Sequence, residues 1–319
     1  NPEQPDIRFV TENGMPKEGY KLSITPNEIT LSASHPNGFF YGVQTMYQLL
    51  PPAVYGKTTV KRANWSLPAV EIEDAPRFPY RGLMLDVCRH FSTTDYIYKF
   101  IDMLAMHKMN TFHFHLTDDQ GWRIEIKKYP KLTEVGSKRI DGEGTEYSGF
   151  YTQDQIKEVV KYAADRFITI VPEIELPGHE LAAISAYPEL SCKGEPTTPR
   201  IIWGVEDIVL CAGKEKPFEL LQDVFDEVAP LFPGEYIHIG GDEARKTYWE
   251  KCPLCQARMK KEKIANEEDL QGYFMNRMSE YVRSKGREVI GWDELTNSSF
   301  LPDDAIILGW QGYGQAALK

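Results

Sequence analysis

The sequence predicts an α/β protein: a (β/α)8 TIM barrel over residues 76–319, preceded by part of a small α+β domain over residues 1–75. From residue 80 onward, apolar strand-like segments alternate with amphipathic helical segments, which is typical of parallel strands joined by helices. Almost every predicted strand also ends in charged or aromatic side chains. A barrel gathers all strand ends around one mouth, whereas an open doubly wound sheet gathers ligands at one switch point, so the pattern favours the barrel.

The small domain is predicted to contain a hairpin and a helix. Residues 20–25 and 28–33 alternate between apolar and polar side chains, and the Pro-Asn pair between them is a turn signal. Residues 38–50 carry apolar side chains at helical spacing and are followed by two prolines, which stop a helix. Residues 68–79 contain three prolines, and we expect this segment to link the two domains.

Six barrel strands are predicted, and helices lie between them. The strands cover residues 82–87, 111–117, 167–174, 236–239, 288–292 and 305–310. The helices cover residues 95–109, 156–167, 217–231 and 267–285. Thr152 and Gln155 have the spacing of a capping box at the start of the second helix. Because a complete barrel has eight strands and about 250 residues, we expect two more strand–helix units, roughly 80 residues, beyond Lys319.

The amino-acid composition limits the kinds of molecule that the protein is expected to bind. The net charge of −11 argues against nucleic acid, whose phosphates would be repelled. The longest apolar runs have the length of strands and are interrupted by charges, so no membrane span is predicted. The 17 Tyr, 15 Phe and 6 Trp residues suit the apolar faces of sugar rings, although most aromatic residues in any protein belong to the core.

The five cysteines are too few for a disulfide scaffold. Cys252 and Cys255 have the spacing of a zinc knuckle, but no second pair with matching spacing is present, so a local disulfide or two free thiols is favoured. Cys192 and Cys211 flank a loop that a disulfide would close in an oxidising compartment. Cys88 lies in an apolar run and is expected to be a buried thiol.

Two adjacent carboxylates follow the fourth predicted strand. Residues 236–239 form an apolar run that ends at two glycines, and Asp242 and Glu243 come next. Neighbouring carboxylates repel each other, so one is expected to stay protonated while the other is charged, which would provide an acid and a base side by side. The alternative is an ordinary surface turn, for which Gly-Gly-Asp-Glu is common composition.

The second predicted strand carries two histidines on one face. His113 and His115 are two residues apart, and with His179, His238 and Asp293 they would form a metal site of the kind found in amidohydrolases. The alternative is that both imidazoles fill the barrel interior and are held by hydrogen bonds, which is the more frequent role of an isolated His-x-His.

Further polar residues follow the first two strands. Asp118 and Asp119 end the second strand, and carboxylates are seldom buried unless paired. Arg89, just past the first strand, is the expected partner. Its guanidinium would also present a rigid set of donors to substrate hydroxyl groups.

The third, fifth and sixth strands end in residues that would shape a pocket. Pro177 and Gly178 turn the chain so that His179 would face Glu175 and tune a neighbouring acid, the alternative being a helix-capping pair. Trp292 and Trp310 end consecutive strands, where two indole rings would form aromatic walls for a sugar.

Together these segments resemble glycoside hydrolase family 20, the β-N-acetylhexosaminidases. The resemblance rests on residues 81–90 (RGLMLDVCRH), 113–122 (HFHLTDDQGW), 172–179 (PEIELPGH) and 238–243 (HIGGDE), which occur in the order and spacing of that family. It implies a retaining hydrolase that removes terminal β-linked N-acetylglucosamine or N-acetylgalactosamine without an enzyme nucleophile.

The resemblance also implies a role for each site residue. Glu243 would be the general acid and base, and Asp242 would orient the substrate's acetamido group, which attacks the anomeric carbon. The other residues would bind the sugar or support the acid: Arg89 on the 3- and 4-hydroxyls, Asp118, Glu175 and His179 behind the acid, and Trp292 and Trp310 as pocket walls.

No metal or other cofactor is implied, and the expected partner is a glycan with a terminal N-acetylhexosamine. Because such glycans lie outside the cytosol, we expect a periplasmic or extracellular location. The family's acetamido-binding Tyr and its last-strand Trp and Glu have no counterpart before Lys319. Besides a glycoside hydrolase and a metal-dependent amidohydrolase, a sugar-binding fragment without catalysis is therefore a third possible function.

Overall fold

A computed structural model describes residues 7–56, 58–61, 64–300 and 305–312 of the chain. Its residues group into two compact units. The smaller unit comprises residues 1–83, 99–111 and 163–168, and the larger comprises residues 84–98, 112–162 and 169–319.

The small unit is built on a four-stranded sheet. The strands are Ile7–Thr11, Tyr20–Ile24, Ile29–Ala33 and Val70–Asp74, and the spatial order is first, third, second, fourth. The second and third strands pair antiparallel, as the predicted hairpin requires. The helix Pro36–Leu49 contacts both of these strands, and its Tyr41 joins a core with residues from them.

The predicted linker over residues 68–79 is wrong in part, because Val70–Asp74 is a strand. It pairs antiparallel with Tyr20–Ile24 along its whole length. Val70 and Ile72 alternate with Glu71 and Glu73, which is the period of a strand, and the prolines flank this run rather than interrupt it. The first strand, Ile7–Thr11, was not predicted.

The second sheet contains the six strands predicted for the barrel, and the fold is that of a TIM barrel preceded by a small domain. Along the sheet these strands lie in chain order: Gly82–Asp86, Thr111–His115, Thr169–Glu173, Tyr236–His238, Glu288–Trp292 and Ile306–Leu308. The registers between the third, fourth, fifth and sixth strands are parallel. All six predictions overlap an observed strand, and the fifth matches it at both ends.

The helices that join these strands also follow the predicted pattern. The five longest are Thr94–Met106, Gln153–Ala164, Lys216–Leu231, Pro253–Glu262 and Glu267–Ser284. The capping box is confirmed, since the Gln155 amide donates to Thr152 Oγ1 and the Thr152 amide donates to Gln155 Oε1. Pro253–Glu262 was not predicted, because its apolar periodicity is weak. Within the described ranges, no helix combines the length and apolar character needed to cross a bilayer.

The second barrel strand carries different kinds of side chain on its two faces. All five residues of Thr111–His115 are buried, which is the pattern of a strand covered on both faces. Side chains on a strand alternate between faces. Phe112 and Phe114 stack on one face with ring centroids 4.8 Å apart, whereas His113 and His115 share the other.

Candidate active site

The segment after the fourth strand is held in an unusual backbone conformation. Gly240, Gly241 and Glu243 all have positive φ, at 62°, 99° and 48°. A β-carbon on Gly240 would lie 1.8 Å from Glu175 Oε2, so only glycine fits there. The turn leaves the side chains of Asp242 and Glu243 16% and 35% exposed. The adjacent carboxylates therefore reach solvent at the end of the strand.

A buried carboxylate, Glu173, organises the histidines of the neighbouring strands. Its oxygens lie 2.8 Å from His113 Nε2 and 2.9 Å from His238 Nδ1, and it also contacts His115 Nδ1. Burial alone would raise the pKa of Glu173, but the three imidazoles hold it well below its ordinary value. This role was not predicted, although Glu173 and the histidines occupy corresponding strand positions.

The predicted five-residue metal site is not assembled. His113 and His238 do converge, but on Glu173, in a grouping close enough to hold an ion. His115 uses both ring nitrogens, one toward Glu173 and the other 2.7 Å from Asp118 Oδ2. Asp293 accepts from the backbone amide groups of two residues after the sixth strand, at 3.4 and 3.3 Å. The contacts match the interpretation in which the histidines fill the barrel interior.

Asp118 links the arginine and the histidines. Its Oδ2 lies 2.5 Å from Arg89 Nη1, and Arg89 also pairs with Asp86 at 3.0 Å. Although burial would raise the pKa of Asp118, the charges and hydrogen bonds of His179 and His115 hold it well below its usual range. The expected pairing of Arg89 with Asp118 is therefore present, and it fixes the guanidinium close to the strand end.

His179 lies between two pairs of carboxylates. Nδ1 is 3.2 Å from Asp118 and 3.5 Å from Asp119, and Nε2 is 3.3 Å from Asp242 and 3.5 Å from Glu243. Burial would lower the pKa of His179, but Asp118 and the other carboxylates raise it well above its ordinary value. The imidazolium thus connects the buried acids to the exposed pair.

The predicted pairing of His179 with Glu175 is replaced by these contacts. Glu175 lies fully buried against Gly240, with its backbone amide donating to Thr117 Oγ1. Burial, together with the negative charges of Asp242 and Glu173, raises the pKa of Glu175 well above its ordinary value. A carboxyl in this environment favours its neutral form, so it does not serve as the counterion of His179.

The two predicted tryptophans occupy different positions. Trp292 lies over the histidines, with its ring centroid 4.6 Å from that of His238 and 5.6 Å from that of His113. Trp310 is 48% exposed, and its Nε1 donates to Glu294 Oε2 at 2.9 Å. Glu294 was not among the predicted site residues. It directly follows Asp293 at the end of the fifth strand, which was the available signal.

Two family profiles match the chain. The profile described as "Glycosyl hydrolase family 20, catalytic domain" matches residues 78–319, and "Glycosyl hydrolase family 20, domain 2" matches residues 1–75. The β-hexosaminidase of Porphyromonas gingivalis is 52% identical over 296 residues, covering 93% of this chain and 38% of that protein. The β-hexosaminidase of Vibrio furnissii is 40% identical over 324 residues, covering 98% and 52%.

Solved structures give the same result. The β-N-acetylhexosaminidase of Bacteroides fragilis matches with a TM-score of 0.85 and 41% identity over 98% of this chain and 61% of that one. The Streptomyces plicatus N-acetyl-β-hexosaminidase in complex with Thio-NAglucal matches with a TM-score of 0.85 and 36% identity over 98% and 59%. The chain thus spans less than two thirds of these relatives. It belongs to glycosyl hydrolase family 20.

Proposed function

We propose that this chain carries the catalytic site of a retaining β-N-acetylhexosaminidase, which removes terminal β-linked N-acetylglucosamine or N-acetylgalactosamine from a glycan. The observation that carries the proposal is the partly exposed pair of Asp242 and Glu243 with buried His179 behind both carboxylates. We further propose the domain boundary between residues 75 and 76. A periplasmic or extracellular location follows from the substrate.

Glu243 is assigned as the general acid and base. Its carboxyl protonates the glycosidic oxygen as the bond from that oxygen to the anomeric carbon breaks, and the aglycone leaves as an alcohol. Glu243 then takes a proton from the water that attacks the anomeric carbon. The 35% exposure of its side chain supports this role, because water and the leaving group both need access.

Asp242 is assigned to the substrate's 2-acetamido group. The acetamido oxygen attacks the anomeric carbon from the face opposite the leaving group, and an oxazolinium intermediate forms. Asp242 accepts a hydrogen bond from the acetamido N–H and stabilises the positive charge that develops. Protonated His179 at 3.3 Å supports this assignment, since its Nε2 contacts Asp242 Oδ2 and orients the carboxylate.

The remaining site residues are assigned to sugar binding. Arg89 is held by Asp86 and Asp118 and presents donors to the 3- and 4-hydroxyls. Trp292 and Trp310 form walls of the acetamido pocket, and Glu294 positions Trp310. Glu175, buried behind Gly240, supports the backbone that carries the two carboxylates.

Hydrolysis of p-nitrophenyl N-acetyl-β-D-glucosaminide tests the proposal. We expect Glu243→Gln to lower kcat by about 100- to 10,000-fold, the usual contribution of general acid–base catalysis. Glu280→Gln is the matched control, because Glu280 is exposed on the helix Glu267–Ser284. The wild-type measurement is made on this chain and on one extended beyond Lys319. Absence of activity from both would overturn the proposal.

The same assay separates the two alternatives. An amidohydrolase with a metal at His113 and His115 would lose activity to a chelator and retain much of it in Glu243→Gln, so both results together would identify it. A sugar-binding fragment would bind N-acetylglucosamine without hydrolysing the glycoside. The retaining mechanism itself is tested by NMR, in which the first product formed should be the β-anomer.

A further inference from the structure

Four cysteines that are distant in the sequence converge on one point of the larger unit. They are Cys192, Cys211, Cys252 and Cys255, and their four sulfur atoms all lie within 4.8 Å of one another. Cys211 Sγ is 3.6 Å from Cys255 Sγ and 3.9 Å from Cys252 Sγ, and Cys192 Sγ is 3.8 Å from Cys255 Sγ. The second pair of ligands, for which the sequence offers no matching spacing, is therefore contributed by Cys192 and Cys211.

The separations match the edges of a metal tetrahedron. Zinc binds thiolate sulfur at about 2.3 Å in tetrahedral sites, and four ligands at that distance have sulfur atoms about 3.8 Å apart. All five cysteines belong to the described residues, and all are free thiols there. The disulfide expected between Cys192 and Cys211 is thus not formed, because both sulfurs point into a shared cluster.

The cluster lies at the start of a helix. Cys252 is the N-cap of the ten-residue helix Pro253–Glu262, and Cys255 lies in its first turn. Cys211 and Cys255 are fully buried, and Cys252 is 7% exposed. Several thiolates packed together repel one another, so a cation between them is the arrangement that satisfies both their charge and their burial.

We propose that Cys192, Cys211, Cys252 and Cys255 bind one zinc ion in a closed structural site. Binding forms four Zn–S bonds and releases the proton of each thiol that was protonated, and neither sulfur nor zinc changes oxidation state. No position is left for water, so the site stabilises the fold and takes no part in glycoside hydrolysis. Partly exposed Cys192 marks the side from which the ion enters.

The zinc ion would stabilise the long loop between Cys192 and Cys211, which lies beside the candidate active site. The Leu210 amide donates to the Pro177 carbonyl, and the Arg200 amide donates to the Asp119 carbonyl. Trp249 Nε1 donates to the Leu210 carbonyl at 2.9 Å, just before the helix that carries two of the cysteines. A metal at the cluster would therefore hold the loop between Cys192 and Cys211 against the segments that position His179.

Metal analysis of the whole chain tests the proposal. The protein is produced in zinc-supplemented medium, purified without chelator or reductant, and analysed by inductively coupled plasma mass spectrometry. We expect one equivalent of zinc per chain. Thiol titration in denaturant with a chelator should then count all five cysteines, whereas one disulfide would leave three and two would leave one.

Single substitutions assign the ion to the cluster. Cys252→Ser and Cys255→Ser should each retain less than about one tenth of an equivalent of zinc after dialysis. Cys88→Ala is the matched control, because Cys88 is a buried cysteine outside the cluster, and it should keep the full equivalent. Cobalt substitution of the wild type should give the intense visible bands of tetrahedral thiolate coordination.

Three results would overturn the proposal. They are a wild-type protein without bound metal, a thiol count of three or one in that protein, and zinc retained in full by both serine variants. The metal and thiol measurements on the wild type decide the matter even if a serine variant does not fold. They are also independent of catalysis, so a failed hydrolysis assay would leave the zinc proposal standing.

Discussion

The interior of the barrel and its rim use charged residues in opposite ways. In the interior, Glu173 and Asp118 are almost wholly buried, and each contacts at least two cationic or imidazole groups. At the rim, Asp242 and Glu243 are partly exposed and share one imidazole, that of His179. Buried charges are thus compensated, whereas the partly exposed pair reaches solvent and is available to the proposed substrate.

The difference in burial predicts different effects of substitution in the interior and at the rim. A buried charge with good partners is costly to unpair, so substitutions in the interior are expected to lower stability. An exposed carboxylate is already solvated, so its loss should change kinetics while the fold remains intact.

The largest expected effect on stability comes from Glu173→Gln. This isosteric change removes the negative charge on which His113, His115 and His238 converge, so protonated His115 loses a buried carboxylate partner. Breaking a buried ion pair in this way costs roughly 3–5 kcal/mol. Urea denaturation followed by circular dichroism measures the free energy of unfolding.

Glu288→Gln is the control for this change. Glu288 begins the fifth barrel strand, is exposed and lies 3.6 Å from Arg283. An exposed pair contributes about 0–1 kcal/mol, so the control should unfold close to wild type. A Glu173→Gln variant as stable as Glu288→Gln would show that the interior cluster is not a compensated charge network.

The buried charges should also make the stability of the fold depend on pH, at both the acid and the alkaline end of the range. The depressed pKa of Asp118 stabilises the fold above that residue's ordinary value, and the contribution is lost as pH falls through the folded-state pKa. The contribution of His115 to stability changes with pH in the opposite direction. Glu173 and Asp118 raise its pKa to about 10 against burial, so its contribution is present at low pH and lost as pH rises toward that value.

Asp118→Asn should change the pH dependence of stability at both acid and alkaline pH. The acid-side contribution of Asp118 disappears, and the pKa of His115 falls, so the alkaline loss of stability becomes smaller and is complete at a lower pH. Melting temperatures across the pH range measure the two curves. Parallel curves for wild type and variant would contradict the assignment of these charges.

Local patterns in the sequence were sufficient to predict the strand ends. The apolar run before Gly240, with its two-residue period, placed Asp242 and Glu243 at the end of a strand, where they are found. The alternation of Val70 to Glu73 also indicates a strand, whereas the prolines on either side of it indicate a linker. Periodicity was the more reliable signal, because it reflects which side chains are buried.

Partners from separate strands were harder to predict. Glu173 lies on the strand between those of His113 and His238, and the order and register of these neighbouring strands bring the three side chains together. Likewise, Cys192 and Cys211 have no local metal motif, and the path of their loop brings them to Cys252 and Cys255. Such convergence depends on tertiary structure, so spacing along the chain does not reveal it.

The smallest expected effect lies at the rim, in Trp310→Phe. The indole is about half exposed and is held by one hydrogen bond to Glu294, so its loss should leave the melting temperature nearly unchanged. An aromatic contact contributes about 0.5–1.5 kcal/mol, which corresponds to a roughly 2- to 10-fold rise in KM if the ring forms a wall of the sugar pocket. Steady-state hydrolysis of the chromogenic substrate measures this, with exposed Trp203→Phe as the matched control. Equal KM values for the two variants would remove Trp310 from the substrate pocket, whereas a large drop in melting temperature would assign it to the stabilising interior.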